Sequence, residues 1–208
     1  TNTDSVVIPH GGRRAFHGSN PIAVAAPVAG QRPWLLDLAT SSVPFNRVVL
    51  ARTSGRPLPA DVAADSEGNP TVDASKAHML LPLGGAAYGY KGAGLAGLVT
   101  ILSAALTGGT LDPDMIPMFQ TTDFHTPRNL GHFCVAIDPD RFVGRAAYER
   151  AMVRYLTLLR SVPPNAGERV MAPGDREWET EVNRAQSGIP IDPATAKYFC
   201  LDRGQAGH

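Results

Sequence analysis

No excess of charge of either sign marks this chain: Lys plus Arg and Asp plus Glu each number 19 in 208 residues. A balanced surface gives no net field to gather a nucleic-acid backbone or an anionic membrane, which argues against both as partners. Cysteine is nearly absent. Cys134 and Cys200 stand far apart with no Cys or His neighbour at metal-ligand spacing. That excludes a disulfide framework or a zinc site and predicts two buried thiols in a reducing compartment. Long apolar runs are missing too. The longest, Leu95 to Leu106, is interrupted by Gly97, Thr100 and Ser103 and is too short to span a bilayer. There is no signal-peptide pattern and no G-x-S-x-G nucleophile elbow, so the expectation is a cytoplasmic protein that is not a serine hydrolase.

What is present is enough apolar residue to build a core, 43% of the chain, with only 18% charged, so much of the surface is neutral or covered. The length suits one large domain with an appendage. Val6 to Ile8, Ile22 to Ala26, Trp34 to Ala39, Val48 to Ala51 and His132 to Ile137 read as strands, and Thr53 to Thr71 as a long surface excursion. Asp37 is anomalous inside the run WLLDLA, because a carboxylate in an apolar strand is costly unless paired. Leu95, Leu98, Val99, Leu102 and Leu106 predict a helix with one apolar face. A second helix is expected over Arg145 to Arg160, with Ala151, Met152, Tyr155, Leu158 and Leu159 on one side. A third runs from Asp175, as its cap, to about Ser187, with Trp178, Val182 and Ala185 buried; Asp192-Pro193 starts a fourth. The order of elements predicts a mixed α/β domain over residues 1–143 and a C-terminal helical segment over 144–208 packed on it.

The stretch YKGAGLAG contains Gly92, Gly94 and Gly97 at G-x-G-x-x-G spacing. A Rossmann fingerprint needs a strand running directly into the glycines and an acid about 20 residues later. LPLGGAAYGYK, broken by Pro82, Gly84, Gly85 and Gly89, is no such strand, and Asp112 and Asp114 fall in an LDPD turn. The Rossmann reading fails on context. A glycine-rich helix start with Lys91 beside it still favours an anion, through free N–H groups and the helix dipole.

Six segments in order carry a wider resemblance: AFHGSNPIAVAAP, LLDLATSSVPFNRVVLA, GRPLPADVAADSEGNPTVD, LLPLGGAAYGYKGAGLAGLVTILSAALTGG, LGHFCVAIDP and APGDREWETEVNRAQSGIPID. Together they resemble the malate/L-lactate dehydrogenase family, whose members include ureidoglycolate dehydrogenase and piperideine-2-carboxylate reductase. The resemblance implies a non-Rossmann, mixed-sheet α/β fold, NAD or NADP as cofactor, a small 2-hydroxy acid, 2-keto acid or cyclic imino acid as substrate, and a homodimer. It also implies cofactor contacts at Asp37, Leu38, Ala39, Thr40 and Ser41, which match a D-x-A-T-S motif, and at Tyr90, Lys91 and Gly92, which match Y/W-K-G. Pro173, Gly174 and Asp175 match a P-G-[DE] turn at the adenosine end, and Thr3 matches a further position near the cofactor.

The chemistry implied is hydride transfer with a proton from a positioned acid, commonly His. In the family that histidine lies upstream of the TNT stretch with which this chain begins, at Thr1 and without Met, so a preceding segment is expected. Without it, the alternative is a non-catalytic nucleotide- or partner-binding chain. Asp65 resembles an acid to which a relay role has been ascribed. Where relatives often have Gly-Lys the chain has Asn46-Arg47, and Arg47 tilts the expected preference toward the 2′-phosphate of NADP. Of the histidines here, His17 reads as a local variation and His132 as a hydrogen-bonded structural residue. His10, His78, His125 and His208 show no pairing in the sequence.

Overall fold

The computed structural model describes residues 1–118 and 121–201. The chain forms two compact units, one of residues 1–23 and 37–136, the other of residues 24–36 and the stretch from 137 onward. The last seven residues of the expected helical segment, His208 among them, lie outside the described residues.

Strands β1 (Ile22–Ala26) and β2 (Trp34–Leu38) pair as a two-stranded sheet. Asp37 lies on the exposed side of β2, so its carboxylate stays in water and the anomaly in WLLDLA dissolves. Helix α1 (Phe45–Ser54) follows, where Val48 to Ala51 was expected to be a strand. Four apolar residues cannot distinguish a period of two from 3.6. Here Pro44 precedes the first turn, Val48 and Ala51 bury at i, i+3, and Gly55 closes the helix in a left-handed cap at φ 63°.

The expected surface excursion contains strands β3 (Ala63–Ala64) and β4 (Pro70–Thr71), and β5 (Met79–Leu80) completes an antiparallel sheet with β3 at its centre. Ala63 pairs with Thr71 on one side and Leu80 on the other. The N-terminal run adds bridges from Val7 to Leu80 and to His17. Small side chains on β3 let the core of Val7, Val48, Leu58, Val62 and Leu80 close over it. Arg52 ties α1 to the loop above β5, donating from Nε to Ala74 O and from Nη2 to Ala77 O at 3.1 and 2.7 Å.

Helices α2 (Gly85–Tyr88) and α3 (Tyr90–Thr100) lead into a π-helical turn, Ile101–Ala105. Val99 is buried as expected, but Leu95, Leu98 and Leu106 are exposed, and Gly92, Ala96, Thr100 and Ser103 face inward instead. The cause is close approach. A Cβ on Gly92 would overlap the Leu83 backbone, so the small residues form the contact and the leucines turn outward. In the π turn the Ser103 carbonyl meets the backbone of Gly131 so tightly that no side chain fits there.

His132 to Ile137 forms no strand: Val135 is 72% and Ile137 70% exposed, and His132 and Cys134 are exposed as well. It pairs with no strand among the described residues, and β propensity without a partner strand fixes nothing. Cys200, in the terminal stretch after α6 (Pro193–Tyr198), is also exposed, so neither thiol is buried as expected. In the second unit α4 (Arg145–Arg160) buries Leu156 against Val28 and Ala172, with Met152, Val153 and Leu159 around them. Tyr155 and Leu158 point outward, contrary to the expected face. Helix α5 (Asp175–Ser187) has no fully buried residue, and Val182 is exposed. The Asp192 side chain caps α6 by accepting from Thr195 N, as the Asp-Pro pair predicts.

Candidate cofactor site

In the first unit four sequence-predicted segments meet through consecutive hydrogen bonds. Thr3 Oγ1 accepts from Ser19 N at 3.2 Å, and Ser19 O accepts from both Thr40 N and Thr40 Oγ1, at 2.8 and 3.0 Å. Thr40 O accepts from Leu83 N at 2.9 Å, and Leu83 O accepts from Gly92 N at 3.1 Å. Ser41 bridges to Pro82 in the same stretch and donates its hydroxyl to Val43 O. Thr3, Thr40, Ser41 and Gly92, distant in sequence, are therefore rigidly held together. Their hydroxyls are committed inward: Thr40 and Ser41 are buried. Asp37 and Lys91, by contrast, are exposed, and neither makes an ion pair among the described residues. The Lys91 ammonium stands 5.6 Å from the Tyr88 ring centre and 5.9 Å from that of Tyr90.

The three glycines of the fingerprint separate. Gly92 is indispensable to packing, a Cβ on Gly94 would meet nothing within 4 Å, and one on Gly97 would touch only His17 Cε1, at 3.9 Å. Gly94 is exposed and leaves the backbone of the first turns of α3 open to a ligand. Arg47 is exposed on α1. Asp65, at the end of β3, accepts from Asn69 N and Glu67 N, both at 2.9 Å. The backbone bond from Asn69, above all, holds its carboxyl below the ordinary value, so Asp65 is a carboxylate at neutral pH.

A polar knot underneath these segments was not legible in the sequence. Asp112 is fully buried and accepts from Asn20 Nδ2 at 2.7 Å, Thr100 Oγ1 at 2.8 Å, Asn2 Nδ2 at 3.0 Å and Gly18 N at 3.1 Å. Burial opposes its ionisation. The contact with His17, whose Nδ1 stands 3.5 Å away, and the bonds from Asn20, Asn2 and Gly18 outweigh that burial and lower its pKa to about 2. At 3.5 Å the His17 contact is longer than a normal hydrogen bond. Asn2 also accepts from Gly131 N, and Asn20 also donates to Ala96 O on α3. The knot thus fixes the N-terminal run, the G-S-N turn and α3 to one another. The only local signal was an acid in an LDPD turn, indistinguishable from a solvated turn aspartate.

The P-G-D turn lies in the second unit. Leu35 N donates to Pro173 O, and Gly174, at φ 96°, lies so close to Leu35 and Trp178 Nε1 that a Cβ would stand 3.1 and 3.0 Å from them. Asp175 is the first helical residue and Gly174 the N-cap, a correction to the expected cap. The Asp175 carboxylate accepts from Arg160 at 2.7 Å and from Ala172 N at 2.8 Å, and the Arg160 bond leads the causes that lower its pKa. That carboxylate is already engaged. One turn further, Arg32, Arg169, Trp178, Glu179, Val182 and Asn183 line an open pocket of about 450 Å³.

A profile of the malate/L-lactate dehydrogenase family matches residues 1–200. The chain belongs to that family. Among relatives, the ureidoglycolate dehydrogenase (NAD(+)) of Escherichia coli O157:H7 is 31% identical over 201 residues, which cover 96% of this chain and 56% of the relative. The Delta(1)-pyrroline-2-carboxylate/Delta(1)-piperideine-2-carboxylate reductase of Pseudomonas syringae pv. tomato is 35% identical over 212 residues, covering 100% of this chain and 57% of the relative. A dehydrogenase from Sinorhizobium meliloti has a solved structure that superposes with a TM-score of 0.79 at 31% identity, over 96% of this chain and 56% of that one. Malate dehydrogenase from Entamoeba histolytica, at 24% identity, shares the fold with a TM-score of 0.83 over 97% and 60% of the two chains. This member of the malate/L-lactate dehydrogenase family spans a little over half the length of the relatives it matches. The mixed α/β, non-Rossmann fold expected from the sequence is the fold of these structures.

Proposed function

We propose that this chain is the cofactor-binding part of an oxidoreductase that moves a hydride between NAD or NADP and a small 2-hydroxy acid, 2-keto acid or cyclic imino acid. The observation that carries the reading is the hydrogen-bonded run from Thr3 through Ser19, Thr40 and Leu83 to Gly92, which gathers the motif segments on one rigid support. The residues fit a dinucleotide: Lys91 is a cation and Asp37 an acceptor, both exposed and outside any ion pair among the described residues, and the backbone at Gly94 is open. The names of relatives agree, since one ureidoglycolate dehydrogenase is named for NAD(+) and a (2R)-3-sulfolactate dehydrogenase from Chromohalobacter salexigens for NADP(+).

In this reading Lys91 meets a phosphate or ribose oxygen, and Asp37 accepts from ribose hydroxyls. Leu38 and Ala39 keep the strand end slim, Thr40 and Ser41 lock it, and Tyr90 and Gly92 begin the helix beneath the ligand. Thr3 orders the neighbouring turn. In the second unit Pro173 and Gly174 shape a tight turn, with Asp175 holding that turn to Arg160. Arg47 tips the preference toward NADP, because a guanidinium fits a phosphate as a two-pronged donor. Asp65, as a carboxylate, takes part in a relay with the family's proton-donating histidine. The bound nicotinamide supplies or takes the hydride. Residues 1–143 form the cofactor part and 144–208 the helical segment of a cytoplasmic homodimer in this proposal.

The test is a titration of the folded 208-residue chain with NADPH and NADH, following Trp34 and Trp178 fluorescence, with Lys91→Ala alongside. Saturable binding that Lys91→Ala weakens about tenfold, the loss of one charge-assisted contact, supports the reading. A well-folded chain that binds neither nucleotide overturns it in favour of a non-catalytic, partner-binding role.

A further inference from the structure

We propose that Tyr88 is a positioning residue for Lys91, its ring holding the ammonium in place to meet the phosphates of the dinucleotide. The inference rests on the reading above and adds a residue that no family motif supplies. Tyr88 is 61% exposed and contributes nothing to a core. Its backbone is nonetheless tightly fixed. Tyr88 N donates to Gly84 O at 3.0 Å, and Gly84, at φ 101°, lies too close to the Tyr88 carbonyl to carry a side chain. On the other flank a Cβ on Gly89 would overlap Gly85 O. The turn therefore fixes where the ring stands.

Lys91 Nζ stands 5.6 Å from the centre of that ring. A second ring, Tyr90, stands 5.9 Å from the same nitrogen, and His10 meets Tyr90 edge-on with centroids 5.7 Å apart. A lysine on a helix surface ordinarily samples many rotamers, and ordering it on binding is costly. Two aromatic faces restrict Nζ before the ligand arrives while leaving its three N–H donors without a carboxylate among the described residues. The open backbone at Gly94, one turn along α3, leaves room for the anion on that side. Tyr88, Lys91 and Tyr90 thus form a cation clamp at the start of the helix.

The test is calorimetric binding of NADPH to the wild-type chain, Tyr88→Leu, Tyr88→Phe, Lys91→Ala and the Tyr88→Leu/Lys91→Ala pair. Tyr88→Leu is expected to weaken binding about two- to fivefold, the range of an exposed cation–π contact. Tyr88→Phe, which keeps the ring, retains wild-type affinity, and Tyr88→Leu costs nothing further once Lys91 is alanine. In parallel, the Lys91 ε-methylene proton resonances are displaced by ring current in the wild type and Tyr88→Phe and move part of the way back toward ordinary values in Tyr88→Leu, where only Tyr90 remains beside them. Equal losses from Tyr88→Leu with and without Lys91 would overturn the clamp and leave the cofactor reading standing. A wild-type chain that binds neither NADPH nor, in a parallel titration, NADH sinks both.

Discussion

Replacing Asp112 by Asn tests the polar knot on which the candidate site rests. The ionised carboxylate accepts from Asn20, Thr100, Asn2 and Gly18 while fully buried. Its pKa is lowered from 3.8 to about 2 in the folded chain. A depressed folded pKa gives stability that is complete well above 3.8 and disappears as the pH falls through about 2. That shift corresponds to about 2 kcal/mol at neutral pH. The asparagine amide adds a further cost, since its NH2 replaces one of the two oxygens and faces either the Asn2 donor on Oδ1 or the Asn20 and Gly18 donors on Oδ2, leaving that side unsatisfied at roughly 1–3 kcal/mol. Asp112→Asn is expected to lose about 3–5 kcal/mol at pH 7, the range for breaking a buried charged group from its partners. Urea unfolding followed by circular dichroism at pH 7 and pH 3 measures both parts. Between those pH values the wild type should lose about 1 kcal/mol more than the variant, because this carboxyl titrates in the unfolded chain and not in the folded one. A variant within 1 kcal/mol of wild type at pH 7, or identical pH dependence in the two proteins, would refute the account.

Gly92→Ala should destabilise the chain by more than about 2 kcal/mol, since the new Cβ has no room beside Leu83, whereas Gly94→Ala should raise stability by up to about 1 kcal/mol through helix propensity. If Gly94→Ala also leaves NADPH affinity untouched, the backbone there does not approach the cofactor. Arg47→Ala should lower the ratio of NADPH to NADH affinity about tenfold; an unchanged ratio removes Arg47 from cofactor choice. Cys134 and Cys200 should both react with a thiol reagent in the native chain within minutes, because both are exposed; protection until urea is added would contradict their placement.

The local rules carried some elements and misled at others for identifiable reasons. The helices from Arg145 to Arg160 and from Asp175 to Ser187 lie where apolar spacing, Gly188 and the downstream prolines put them. Val48 to Ala51 became a helix because four residues carry no period, and Pro44 and Gly55 at its ends decided the matter. The exposed leucines of α3 show a deeper limit. Hydrophobic spacing predicts the face that would be buried by area, yet the face chosen is the one that lets Gly92 and Ala96 approach Leu83 and Asn20 closely. Of the candidate site, the motif residues were legible as types, and Lys91 stood out by its glycine-rich setting. Their connection through Ser19 and Leu83, and the service of Tyr88 to Lys91, were not.

By itself, then, the amino-acid sequence determined the family, the mixed α/β class and the chemical kinds present at the site, because those follow from residue types and their order along the chain. Tertiary structure alone decided that Asp112 is a buried anion tied to Asn2 and Asn20, that Asp37 faces water, and that Asp175 is occupied by Arg160. The first and last depend on which groups stand within about 3 Å of the carboxylate, and the second on which side of β2 faces solvent. Charge state and availability are properties of that neighbourhood, and no residue carries its neighbourhood in its name.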